Sequence, residues 1–301
     1  MFKQDLANYV RKNPSVIQRK SIGDGLYILK YRKKAFYKGI WNRFTEECRG
    51  VIVDEDYNVV TMPFTKIYNF GIEKSAPEID DDEMVTVFRK VNGFMGAATW
   101  HDGDVLISTT GSTDSPFVQY IKDMVPDWDS FSRTLRDNPD KTFLFEVVHP
   151  SDPHIVIEAP GLYLLAYRDK EWHSKIDHDP GELHRLSKMM KCFTPECHDV
   201  TMGALRCIVK TVDHEGFVVY CDDGRATKIK SPYYLTAKFM ARIKDPMKLM
   251  EDHIKERVDE EYYPLVDKVR ENIVEFKGLT EQERLEWIRS TLAKYGEEET
   301  E

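Results

Sequence analysis

Two Lys-x-x-Gly runs stand in this 301-residue chain, Lys20-Ser21-Ile22-Gly23 and Lys90-Val91-Asn92-Gly93. About one is expected by chance at ordinary Lys and Gly frequencies, so spacing alone decides nothing. The first run lies in a basic stretch that reads as a turn. The second follows the strand-like Met84 to Arg89 and precedes another strand, which places Lys90 as a nucleophile would be placed at a strand's end. A lysine attacks only as the neutral amine, and at an unperturbed pKa near 10.4 only about 0.04% of it is neutral at pH 7. Lys228 and Lys230 are two apart, so strand alternation turns both to one side. Placed beside Lys90, their positive charge would disfavour another there. Glu146 sits inside the otherwise apolar Phe143 to Val148 and needs a partner there. Glu215 precedes Gly216, which permits close backbone approach. Each has a plainer alternative: lysines on a solvated strand face, a structural ion pair at Glu146, a hairpin acid in solvent at Glu215.

The elements that must position these residues are short apolar alternations, which predict strands at Leu26 to Tyr31, Gly50 to Asp54, Val59 to Phe64, Met84 to Val91, Ala97 to His101, Val105 to Thr110, Thr142 to Val148, His154 to Glu158, Leu162 to Tyr167, Phe217 to Cys221 and Ala226 to Ile229. Asp54 to Asn58 and His101-Asp102-Gly103-Asp104 read as hairpin turns, which implies antiparallel sheet. Helices are predicted at Ser115 to Met124, Trp128 to Asp137, Gly181 to Met190 and Met202 to Val209, so the class is α+β. From Pro232 the period is helical. Met247, Met250, His253, Ile254 and Val258 are predicted to share one face, Pro264 restarts a helix and Gly278 ends the next. Thr280 with Glu283 forms a capping box, followed by the apolar stripe Leu285, Ile288, Leu292 and Tyr295, which reads as core. The expected domains are residues 1–240 and a small helical appendage over 241–301.

A 41% hydrophobic content suffices for a core, and no run of about 18 apolar residues exists, so a soluble protein of the cytoplasm is expected, with no membrane partner. Five cysteines are too few for a disulfide scaffold and fit a reducing compartment. Cys192, Cys197, His198 and Cys207 make a poor zinc pattern. The net charge of −9 argues against nucleic acid at first sight. However, Arg19 to Lys38 carries Arg19, Lys20, Lys30, Arg32, Lys33, Lys34 and Lys38 against Asp24, while Asp80 to Glu83 and Glu297 to Glu301 are acidic. A local basic surface fits a partner held briefly.

The lysine has ordered company: Cys48-Arg49-Gly50-Val51, Thr65-Lys66-Ile67-Tyr68-Asn69, Ser108-Thr109-Thr110-Gly111-Ser112, Phe143 to Val148, Leu164-Leu165-Ala166-Tyr167-Arg168, Glu215-Gly216-Phe217-Val218-Val219 and Lys228-Ile229-Lys230-Ser231. This set, in this order, resembles the covalent nucleotidyltransferases, and among them the T-even bacteriophage RNA ligase 1 group. The resemblance covers residues from about 45 to 240. It implies a two-sheet nucleotidyltransferase (ligase adenylation) domain with the nucleotide between the sheets, and an ATP-dependent RNA ligase. Lys90 would take AMP from ATP, pass it to a 5′-phosphate, and a 3′-hydroxyl would then expel it. It also implies Mg²⁺ or Mn²⁺, with Glu215 organising the metal's water, Lys228 and Lys230 on the α-phosphate, and Glu146 on a ribose hydroxyl. Arg49, Lys66 and Tyr68 would serve the phosphates, Tyr167 the adenine, and Arg89, Val91 and Gly93 would flank the nucleotide. Tyr167 reads equally well as core. RNA with 5′-phosphate and 3′-hydroxyl ends would be the partner of a monomer, in the host cytoplasm if virus-encoded, with RNA repair as the process.

Two residues depart from the pattern. Asn92 stands where the group has an aspartate, and Thr110 where the phage enzyme has a lysine. Rival readings are a DNA ligase or capping guanylyltransferase of the same superfamily, which the helical C-terminal pattern disfavours, and a nucleotide- or RNA-binding module without catalysis.

Overall fold

The computed structural model describes residues 1–71, 75–258 and 262–298. In chain order the elements are α1 (Phe2–Lys12), β1 (Ile17–Gly23), β2 (Leu26–Tyr31), α2 (Lys33–Lys38), β3 (Arg49–Val53), β4 (Val59–Thr61), β5 (Tyr68–Asn69), β6 (Met84–Arg89), β7 (Phe94–His101), β8 (Asp104–Thr109), α3 (Pro116–Asp123), α4 (Trp128–Arg136), β9 (Lys141–Val148), β10 (Gly161–Asp169), α5 (Pro180–Met190), β11 (Cys197–Thr201), α6 (Met202–Thr211), β12 (Gly216–Tyr220), β13 (Ala226–Lys230), α7 (Pro232–Ala241), two 3₁₀ turns (Pro246–Met250 and Asp252–Arg257), α8 (Tyr263–Glu271), α9 (Ile273–Gly278) and α10 (Glu281–Glu298). The class is mixed α+β with antiparallel sheets. Among the described residues no helix is long and apolar enough to cross a membrane.

The chain forms two compact units. The first comprises Met1–Tyr68, Gly93–Asp152 and Glu158–Cys197; the second comprises Asn69–Asn92, Pro153–Ile157 and His198–Glu301. The first holds two four-stranded sheets, ordered β1-β2-β3-β4 and β10-β9-β7-β8. Asp102 and Gly103, both at positive φ, close the β7–β8 hairpin as a two-residue turn of this kind requires. Leu6, Val10, Ile17, Leu29, Val51 and Met62 pack α1 onto the first sheet. In the second unit a sheet ordered β11-β6-β12-β13-β5 packs Val85, Val87, Phe217 and Val219 against Met202, Leu205 and Val209 of α6. A helical core there gathers Tyr234, Met240, Leu249, Ile254, Val266, Phe276, Leu285 and Ile288, with Leu292 against its edge. The Thr280/Glu283 capping box forms, and the α10 stripe is core as its spacing implies. The Tyr295 side chain and residues 299–301 of the acidic tail lie outside the described residues.

Several expectations need correction. Lys20 to Gly23 is not a turn but part of β1, paired Lys20 to Ile28 and Ser21 to Tyr27; exposed charges on this edge strand hide its period, and the turn is Asp24-Gly25. His154 to Glu158 is not a strand. Its backbone bonds go to side chains, Val156 N–H to Asn92 Oδ1 and the Ile155 carbonyl to the Arg289 guanidinium, while Ile155 and Val156 enter the helical core. The strand expected to Phe64 ends at Thr61, because Met62 N–H turns to Thr142 Oγ1 and the Pro63 carbonyl to Arg168. Met247 to Val258 is not one helical face: Glu251, extended between the two 3₁₀ turns, breaks it, leaving Met247 and Met250 exposed and Ile254 buried.

Candidate active site

In the second unit, strand pairing delivers the chemistry. Lys90 follows β6 and extends its ladder by donating its N–H to the Gly216 carbonyl at 2.8 Å. β12 runs antiparallel to both β6 and β13, with Phe217 opposite Arg89, Gly216 opposite Lys230 and Val218 opposite Lys228. Gly216 has φ +121°, and an added Cβ would lie 2.1 Å from the Ile229 carbonyl oxygen, so the pairing requires glycine. It brings the preceding Glu215 under both lysines: Lys90 Nζ is 2.9 Å from Oε2 and Lys230 Nζ is 3.0 Å from Oε1. Asn92 Nδ2 donates to Oε2 at 2.7 Å, while Asn92 Oδ1 accepts from Val156 N–H at 2.9 Å.

Glu215 is 3% exposed, which excludes the hairpin acid in solvent. Burial works to raise its pKa, but the Lys90 and Lys230 ammonium groups outweigh burial and hold it below the ordinary carboxylate range. Lys230 also lies 4.7 Å from the Tyr234 ring centre, and burial pushes the Tyr234 hydroxyl up to about 12. Lys228 shares a strand side with Lys230 by alternation. Arg89 ends β6, and the Val91 side chain is buried, so at 91 only backbone can meet a ligand.

In the first unit, Glu146 on β9 accepts the Gly93 N–H at 3.0 Å. A Cβ on Gly93 would stand 2.3 Å from the Val147 carbonyl oxygen, so that strand approach also requires glycine. Arg49 opens β3 opposite Lys30 of β2. Gly50, at φ +102°, would clash through a Cβ with Thr110 Cα at 2.7 Å. Lys30 Nζ lies 3.5 Å from Thr110 Oγ1, and burial and the Arg49 charge lower its pKa. Among the described residues no carboxylate lies within 4.0 Å of the Lys30 or Arg49 charge, so this half-buried cation pair is disposed toward an anion. Tyr68 donates its hydroxyl to Glu46 Oε1 at 2.6 Å, and Lys66 lies 4.4 Å from the Tyr68 ring.

Residues 47–242 match the family model described as RNA ligase. The chain belongs to that family. It is 33% identical over 135 residues to RNA ligase 1 of bacteriophage TS2126, a match covering 40% of this chain and 34% of that protein. The chain thus spans about a third of the length of the curated relative it matches. Two solved forms of an archaeal ATP-dependent RNA ligase share the fold. Form 1 has a TM-score of 0.58 at 15% identity, covering 94% of this chain and 75% of that one. Form 2 has 0.57 at 14% identity, covering 94% and 76%.

Two expectations for this RNA ligase family member change on the geometry. Lys90 was expected among like charges; Lys230 is there, but a carboxylate, Glu215, stands between the two. Glu146 and Tyr167 do not share a sheet face. A bulge between Leu164 and Ala166 shifts the β9–β10 register, so Tyr167 pairs with Phe143 while Glu146 pairs with Tyr163, and odd and even β9 positions face opposite ways. Tyr167 turns instead toward Lys141, whose ammonium is 5.1 Å from its ring. The sequence reading gave three residues no place beside these side chains. Lys30 is separated by 80 residues from Thr110, Lys238 on α7 has its pKa lowered by burial and by Lys230, and Asn92 looked like a loss rather than a bridge.

Proposed function

We propose that the chain is an ATP-dependent RNA ligase acting through lysyl-AMP on Lys90. The observation that carries this is Glu215, held in ion pairs with Lys90 and Lys230 at the mouth of β6, β12 and β13. In step one the neutral Lys90 amine attacks the α-phosphorus of ATP, the bond to the β-phosphate oxygen breaks, pyrophosphate leaves, and the amine proton is lost. In step two a 5′-phosphate oxygen attacks that phosphorus and the P–N bond breaks, returning the amine. In step three a 3′-hydroxyl attacks the 5′-phosphorus and AMP leaves.

Glu215 favours the charged form of Lys90 while it is paired, so attack requires that contact to loosen. Lys230 and Lys228, drawn to the α-phosphate, offset its growing charge. In the first unit, Glu146 is assigned to a ribose hydroxyl, and Arg49, Lys30 and Lys66 to phosphate oxygens. Tyr167, turned from the Glu146 face, receives no role at the base.

Glu215 is one carboxylate already engaged by two ammonium groups, and no cluster of three His, Cys, Asp or Glu occurs among the described residues. This donor set does not fit a metal caged by protein; it fits Mg²⁺ or Mn²⁺ held largely by phosphate oxygens and water, with Glu215 in the outer shell. Such an ion, when bound, supplies neutralisation of the phosphate charge. The proposed division is an adenylation domain over residues 1–240 and a helical domain over 241–301. A monomer in the cytoplasm, joining RNA 5′-phosphate and 3′-hydroxyl ends, completes the reading.

Incubation with α-labelled ATP and a divalent metal, followed by denaturing electrophoresis, tests it. The chain should carry label, and Lys90→Ala should carry none. No label on the native chain would mean a binding module, and label from GTP alone a capping activity.

A further inference from the structure

Residues 25–45 contain Lys30, Arg32, Lys33, Lys34, Lys38 and Arg43 and no aspartate or glutamate, in a chain of net charge −9. α2 displays the middle of this segment. Ala35 anchors the helix inward, while Lys33, Lys34, Phe36, Tyr37 and Lys38 are exposed, Tyr37 at 76% and Phe36 at 53%.

Two observations separate this face from an ordinary solvated one. The first is charge. Arg185, Arg206, Arg225 and Arg242 each have a carboxylate oxygen within 2.8 Å. Among the described residues none lies within 4.0 Å of Arg32, Lys33, Lys34 or Lys38, and Lys34 bonds only a hydroxyl, Ser15 Oγ at 3.0 Å. Lys34 and Lys38, one turn apart, repel each other, and no acid relieves them. The second is the company of rings. Tyr37 begins an edge-to-face row, 5.6 Å to Phe36, then 6.4 Å to Trp41 and 6.1 Å to Tyr68. The row ends at Lys66, 4.6 Å from the Trp41 ring. Uncompensated lysines interleaved with exposed rings complement a polyanion whose units carry flat faces.

We propose that α2 and this aromatic row are a docking track for single-stranded RNA, with phosphates on Lys33, Lys34 and Lys38 and an unpaired base stacked on Tyr37. Duplex RNA keeps its base faces inside its own stack and offers Tyr37 nothing. The inference rests on the ligase reading and deepens it by assigning the substrate strand to a named surface of this chain.

Fluorescence anisotropy with a labelled single-stranded oligoribonucleotide, and with the blunt duplex of the same sequence, tests it; AMP labelling is measured on the same preparations. The single strand should bind more tightly. Tyr37→Ala should weaken that binding on the order of tenfold, and Tyr37→Phe should retain it. The Lys33→Ala, Lys34→Ala, Lys38→Ala triple variant should flatten the log–log salt slope by about 2, at about 0.7 per lost phosphate contact. All of these side chains are exposed, so AMP labelling should be unchanged. Unaltered single-strand affinity in Tyr37→Ala and the triple variant, or tighter binding to the duplex, overturns the proposal. A native chain that takes no AMP label overturns the ligase reading instead, while the binding arm still decides the surface.

Discussion

A carboxylate reached by two lysines, as Glu215 is by Lys90 and Lys230, is held in the charged form and ties Lys90 to its strand neighbours. Asn92 fits this arrangement because an amide donates and accepts at once, bonding Glu215 on one side and the Val156 N–H on the other. Aspartate at 92 would keep the acceptor and set a second carboxylate where the donor stood. Glu215 in the native chain titrates below the ordinary carboxylate value of 4.5. Its ion pairs therefore contribute fully above that value, and the contribution is lost as pH falls through the depressed one. In Asn92→Asp the like charge opposes ionisation, so the loss should move to higher pH by roughly one unit or more. Unfolding midpoints and AMP-labelling rates measured against pH would read the shift. An acid limb that stays in place would show that the amide does not bear on Glu215.

At the scale of elements, the charge at the Thr110 turn arrives from β2 rather than from the turn itself. Lys30 reaches Thr110 Oγ1 and shares a ladder position with Arg49, so two strands and a turn compose one cationic surface. Lys30→Ala should weaken ATP binding on the order of tenfold, the worth of one charge-assisted hydrogen bond, and Thr110→Lys in that background should restore much of the loss. Failure of the second change to rescue would mean that Lys30 acts elsewhere. That relation was illegible in the sequence because the two positions are far apart in the chain, whereas the hairpin at Asp102-Gly103 and the cap at Thr280 were legible because their determinants are adjacent. Lys90, Glu215 and Lys230 could be named from their motifs, and the strand pairing adds that Glu215 stands between the amines. The side of the sheet taken by Tyr167 depended on the bulge at Leu164–Ala166, which reverses every assignment beyond it and leaves no mark in the apolar pattern. His154 to Glu158 misled for a related reason: its alternation is real, but Asn92 and Arg289 take the bonds a strand would have given a neighbour.

For the whole molecule, the question is whether the C-terminal helices can be removed from the chemistry. Leu249, Ile254, Val266, Phe276, Leu285 and Ile288 share one core with Tyr234, Met240, Ile155 and Val156. A chain ending at Lys244 would uncover those last four side chains, at about 1.5–3 kcal/mol each for the larger ones. That is comparable with the roughly 5–15 kcal/mol that holds a typical domain together. The consequence would reach the site directly, since Tyr234 lies 4.7 Å from Lys230 Nζ and Val156 N–H holds Asn92. The shortened chain should therefore lose both its cooperative unfolding transition and its AMP label, although it retains Lys90, Glu215 and Lys230. Should it instead take up AMP at the rate of the full chain, the helices after Lys244 would be separable from the site, and the packing of Tyr234 and Val156 would not be what holds Lys230 and Asn92 in place.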